Sequence, residues 1–141
     1  MKLLLAVDGS GCSDHAAAHL AAIAGAWREA PEVHLLYVHP PIPIGRVQSH
    51  VGHDTLENYY REESLPHLAS AEQRLTAAGI EFTRHIHVGE PADVVLRVAS
   101  ELACDWIVMG NKGHGAVAEL VLGSVSHRVL SLAHCPVLLV K

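Results

Sequence analysis

The chain has 141 residues, half of them hydrophobic but only 4% aromatic, with a formal net charge of −5 when its histidines are neutral. That length suits a single domain over residues 1–141 with a core of Ala, Val and Leu, and the acidic balance without a basic run argues against nucleic acid as a partner. Cys12, Cys104 and Cys135 form no CxxC pair, no stretch nears ~20 apolar residues, and the N-terminal run is too short for a signal peptide, so a cytoplasmic protein with no disulfide framework, zinc site or membrane partner is expected.

Leu3–Val7 is a short apolar run ending in Asp8-Gly9-Ser10-Gly11, the pattern of a buried strand followed by a turn. Ala16, Leu20, Ile23, Ala24 and Trp27 then recur at helical spacing until Pro31. Val33–Val38 reads as a second strand closed by His39-Pro40-Pro41, and residues 40–53 read as a surface loop. A long helix is predicted from Thr55 to Ala78, stopped by Gly79 and kinked or delayed at Pro66. Ile80–Val88 supplies a third strand. Gly89-Glu90-Pro91 then introduces a helix with Val94, Val95, Val98, Ala99 and Leu102 on its apolar face, proline being suited to a first turn. Asp105–Met109 is the fourth strand, a glycine-rich loop and a last helix follow, and Pro136–Val140 is the fifth strand.

Strands alternating with helices predict an α/β fold: a five-stranded parallel sheet with right-handed crossovers and helices on both faces. In the order 3-2-1-4-5 the first and fourth strands are neighbours at the point where the order reverses. Ligands of such sheets bind there, beyond the carboxyl ends of the strands. Both of those ends carry unusual residues. Asp8-Gly9-Ser10 follows the first strand, and Gly110-x2-Gly113-x9-Gly123-Ser124 follows the fourth.

Glycines at a strand's exit bring bare N–H groups close to an anion, and a serine at a helix start adds a donor where the dipole already favours negative charge. The same residues also suit a tight loop with Ser124 as a simple helix N-cap. Two familiar phosphate motifs are near misses. Gly110 and Gly115 have P-loop spacing, but Ala116 and Val117 stand where Lys and Ser or Thr belong. Gly9-Ser10-Gly11 begins a dinucleotide fingerprint, but Asp14 replaces its third glycine.

Val7-Asp8-Gly9-Ser10 and the Gly110 to Val125 spacing together resemble the universal stress protein family. Val33 to His39, Gly89-Glu90-Pro91-Ala92 and Cys135-Pro136-Val137-Leu138-Leu139-Val140 agree with it, so the resemblance covers nearly the whole chain. It implies a Rossmann-like fold of the adenine nucleotide alpha hydrolase type that binds ATP, with magnesium, and forms a homodimer. It further implies that Asp8 bonds the adenosine end, with Ala6 and the backbone at Val38 framing the base. Met109 and Gly110 would line the ribose and base edge. Gly113, His114, Gly123, Ser124 and Val125 would hold the phosphates through backbone N–H groups and the serine hydroxyl. Asn111 and Lys112 depart from the arginine common in that loop, although Lys112 keeps a positive charge.

The implied function is a nucleotide-dependent stress-response or signalling module, the alternative being a slow ATPase or nucleotidyl transferase on the same scaffold. No nucleophile and base present themselves as a pair. Twelve histidines raise the question of a metal. His85 and His87 share a strand face and His50 and His53 share a loop, but neither pair has a local carboxylate or thiolate to complete a ligand set. Surface histidines are the expectation. Cys12 falls near a helix start, where a dipole lowers a thiol's pKa, and equally suits a small packing position. Pro136–Val140, uncharged and apolar at a sheet edge, is the expected dimer contact.

Overall fold

The computed structural model describes residues 1–41, 52–115 and 122–141. Its elements are β1 (Lys2–Val7), α1 (Gly11–Ile23), β2 (Glu32–His39), α2 (His53–Ala77), β3 (Phe82–Val88), α3 (Pro91–Glu101), β4 (Trp106–Gly110), α4 (Ser124–Leu132) and β5 (Val137–Val140). All strand pairs are parallel, in the order β3-β2-β1-β4-β5. Among the described residues no helix is long and apolar enough to cross a membrane.

Leu3, Leu4 and Leu5 are at most 2% exposed although they point alternately to opposite faces. A strand covered on both sides reads as a continuous apolar run, and β1 is such a strand. One face of the sheet presents Leu3, Leu5, Leu35 and Val108 to Ala16, Ala17 and Leu20 of α1 and to Leu68, Ala71 and Leu75 of α2. The other presents Leu4, Leu36, Ile107 and Met109 to Val95, Val98 and Ala99 of α3 and Val129 of α4. Small alanines on α1 and α3 let those helices approach the sheet closely.

Several boundaries differ from the sequence expectation. α1 stops at Ile23 and gives way to a 3-10 turn over Ala24–Ala26. α2 begins at His53 and continues through Pro66. Proline there removes one bond to the Glu62 carbonyl, and both residues are exposed, so water can satisfy that oxygen. β3 starts two residues late, at Phe82, because Ile80 closes the helix instead. Ile80 N–H donates to the Leu75 carbonyl and Gly79 N–H to Thr76, with Gly79 in the left-handed region at φ +70°. The predicted loop over residues 40–53 lies largely outside the described residues, including His50 and the side chain of His53.

A polar line crosses the face of β2 and β3. His34, 5% exposed, donates from Nε2 to Glu32 Oε1 at 3.1 Å, and its Nδ1 is hydrogen-bonded to His85 Nε2 at 3.0 Å. His87 continues the line, its ring nearly parallel to that of His85 at 6.3 Å. Among the described residues no three His, Cys, Asp or Glu side chains converge as a metal set.

Burial pushes the His85 imidazole below its ordinary pKa, helped by His34 and His87. Burial also lowers His87, helped by Arg97 and opposed by Glu101. The folded chain therefore binds protons at these sites less readily than the unfolded chain. Their contribution to stability is present above the ordinary imidazole pKa of about 6.5 and is lost as the pH falls from there through the lowered folded-state values. Thermal melts from pH 8 to pH 5 should show the midpoint dropping by a few degrees below that value. The double variant His85→Gln, His87→Gln should flatten the profile, and an unchanged profile would assign the acid sensitivity elsewhere.

Candidate functional site

β1 ends in a turn that only glycine makes without strain. Gly9 has φ +77°, and a Cβ there would lie 2.7 Å from His67 Nδ1 of α2. Ser10 then caps α1, its Oγ accepting the Ser13 N–H at 3.3 Å. The Asp8 carboxylate is held by this turn, Oδ1 accepting the Ser10 N–H at 2.9 Å. Its Oδ2 faces Gly113, where a Cβ would come within 2.5 Å of it. Asp8 thus sits against Gly113 of the glycine loop, while the family resemblance implies a bond from Asp8 to the adenosine end.

The glycines after β4 have separate tasks. Gly110 is crossed by the first turn of α1, and a Cβ there would fall 2.7 Å from the Cys12 carbonyl carbon. Its own carbonyl accepts from the buried Ser126 Oγ at 2.9 Å. Cys12, half-buried, is a packing residue at this crossing. Asn111 N–H donates to Val140 at 2.8 Å, and Gly123 N–H donates to the Asn111 carbonyl at 2.8 Å, stitching the loop to β5 and to α4.

Two expectations are corrected by this arrangement. The Gly123 N–H is spent inside the loop and is no donor for a phosphate. Gly123, not Ser124, is the N-cap of α4, and no side chain supplies the cap. Ser124 is the first helical residue and is exposed, so its hydroxyl is left out of capping. The N–H groups of Ser124 and Val125 lie in the first turn, where a helix has no internal acceptor for them.

These pieces enclose a cleft of about 470 Å³ at the carboxyl ends of β1 and β4, within the range of small-molecule sites. Ala6, Asp8, Val38, Met109, Gly110, Gly113, His114, Gly123, Ser124 and Val125 all line it. Ala6, Leu36, Val38 and Met109 form an apolar floor, walled by Pro40 after β2 and by Pro91 and Val95 of α3. Lys112, Gly113, His114 and the start of α4 form a polar end. Sequence reasoning missed Leu36, Pro40, Pro91 and Val95 and noted Lys112 only for its charge. Pro91 and Val95 are four apart on the sheet-facing stripe of α3, and that spacing was the available signal.

His114 Nε2 lies 2.9 Å from the Asp8 carbonyl oxygen and ties the loop to the β1 exit. Behind it, His67 stacks on Tyr37 with centroids 4.9 Å apart and rings 4° from parallel. Burial, then the Asp8 and Glu63 carboxylates, pushes the Tyr37 phenol up, so it stays neutral. A larger groove of about 690 Å³ lies at the amino ends of β2 and β3. Its charged residues, Glu32 and Glu81, are both acidic, and among the described residues no α-helix N-terminus opens into it to receive an anion.

Comparison with known proteins gives a consistent account. YxiE, a universal stress protein of Bacillus subtilis, is 33% identical over 99% of this chain and 98% of its own. The solved structure of MJ0577 from Methanocaldococcus jannaschii superimposes with a TM-score of 0.84 at 30% identity, over 99% of this chain and 94% of that one. A universal stress protein solved in complex with cAMP has the same fold, with a TM-score of 0.73 at 24% identity over 100% of this chain and 97% of that one. The family model for universal stress proteins matches residues 1–141. With its sheet order and strand-exit loops as described, the chain belongs to the universal stress protein family.

Proposed function

We propose that this protein binds an adenine nucleotide, ATP carrying its own magnesium, and works in the cytoplasm as a nucleotide-dependent stress-response or signalling module. The observation that carries the reading is the cleft itself. An apolar slot at Leu36, Val38 and Met109 runs into a polar end where the first turn of α4 meets Gly113 and His114. A base suits the slot, and phosphates suit a helix N-terminus. The cAMP bound by a protein of the same fold fits this ligand class. Calorimetric titration with adenosine, AMP, ADP and ATP, with magnesium present, tests it. Affinity should rise with the number of phosphates, and no heat and no thermal shift with millimolar ATP would overturn the reading.

The module is further proposed to act as a homodimer through its last strand. β5 is the outer strand of the sheet, so among the described residues one side of its backbone has no strand partner, and Val137–Val140 are all only half-buried. Trp106, 41% exposed, and Leu138 border a small apolar hollow beside it. Pairing this edge with its twofold copy would satisfy the backbone groups and cover the apolar surface. Light scattering at micromolar concentration should report twice the chain mass. Leu138→Lys, with its circular dichroism retained, should shift the protein toward monomer. A wild type that scatters as a monomer would overturn the pairing.

A further inference from the structure

We infer that His114 takes up a proton when a phosphorylated nucleotide enters the cleft, so that binding at this site is coupled to pH; this rests on the nucleotide reading above. The geometry fixes where the first proton sits. A main-chain carbonyl can only accept, so the 2.9 Å contact with Asp8 places a hydrogen on His114 Nε2. In the neutral ring, Nδ1 is then a bare lone pair. Among the described residues Nδ1 has no hydrogen-bond partner, and it belongs to an exposed residue of the polar end of the cleft.

A phosphate oxygen brought to that lone pair is repelled. A proton on Nδ1 converts the repulsion into a charge-assisted hydrogen bond. Imidazole is the side chain that takes up a proton near neutral pH at least cost. The cationic ring donates twice, from Nε2 to Asp8 and from Nδ1 to the phosphate, and so fastens the loop to the β1 exit through the ligand.

The charged neighbours pull in both directions. The Asp8 carboxylate, packed against Gly113 next to His114, favours the cation. Lys112 in the same loop opposes it, and so would a second proton on His67, whose ring meets His114 nearly edge-on at 6.2 Å. His67 is held between Tyr37 and Gly9 and does not line the cleft. The incoming phosphates are the largest new charge, and they decide the balance in favour of protonation.

Calorimetric titration of the protein with ATP at pH 7.5, repeated in buffers of different ionisation enthalpy, counts the protons exchanged. Wild type should take up on the order of one proton per ATP and none with adenosine. His114→Gln keeps a side-chain N–H for the Asp8 carbonyl but cannot be protonated. It should bind ATP roughly tenfold more weakly, the loss of one hydrogen bond to a charged group, with no proton uptake. His67→Ala should retain the uptake. Heat independent of buffer in the wild type overturns the inference while leaving nucleotide binding intact. Uptake that persists in His114→Gln, or disappears in His67→Ala alone, assigns the proton to another group and overturns it too. Absence of any ATP binding overturns the nucleotide reading and this inference with it.

Discussion

Gly110→Ala is expected to destabilise the fold by about 2–3 kcal/mol, the upper part of the range for overpacking a close-packed interior. The added methyl would lie 2.7 Å from the Cys12 carbonyl carbon, 2.8 Å from its Cβ and 2.9 Å from its oxygen. Two of those atoms are backbone, so no rotamer change relieves the contact. α1 would have to lift from β4, yet Ala16, Ala17 and Leu20 on that helix are fully buried against the sheet. Its first turn is also held by the Ser10 cap. Urea unfolding with an unchanged slope measures the loss. Gly115→Ala is the control, since a Cβ there meets nothing within 4 Å. A loss below about 0.5 kcal/mol, the level of an ordinary surface substitution, would show that α1 moves freely over β4.

Gly123→Val is expected to weaken ATP binding by about 100-fold or more, the equivalent of two lost hydrogen bonds to a charged ligand. Gly123 has φ −73° and ψ 158°, a conformation open to any residue, so the cost is one of contact and not of backbone strain. Its Cβ would meet Lys112 Cα at 3.2 Å and the Asn111 oxygen at 3.4 Å. The branched methyls would then push Lys112 and Gly113 away from the first turn of α4. The two halves of the polar end separate, and one phosphate chain no longer reaches both. Adenosine, which uses only the apolar slot, should lose less than about tenfold, or 1.4 kcal/mol. Equal ATP affinity in the wild type and the variant would remove the phosphate cradle from the proposed function.

The path of the chain was legible in local patterns. Apolar runs such as Leu3–Val7, the helical stripe at Val94, Val95 and Val98, and the proline opening α3 are properties of residues close together along the chain. Element order then limited the topology to a doubly wound parallel sheet, and the expected order, with its reversal between β1 and β4, is the one observed. The helix and strand ends were read less well. Ile80 reads as strand by its side chain, but it is claimed by the closing bonds of α2.

The sequence by itself determined the parallel α/β class, the two strand exits that carry polar and glycine residues, and the family likeness of the Gly110 to Ser124 spacing. Only the tertiary structure decided what each of those residues does. Gly110, Gly113 and Gly123 are equivalent letters in a motif, yet one is crossed by α1, one faces the Asp8 carboxylate and one closes the loop on Asn111. The His114 bond to Asp8 joins residues 106 positions apart, and the stacked Tyr37 and His67 come from a strand and a helix. Periodicity records only which way a side chain faces along its own element. Contacts between elements depend on how closely the buried faces pack, and that distance is set by the whole core at once.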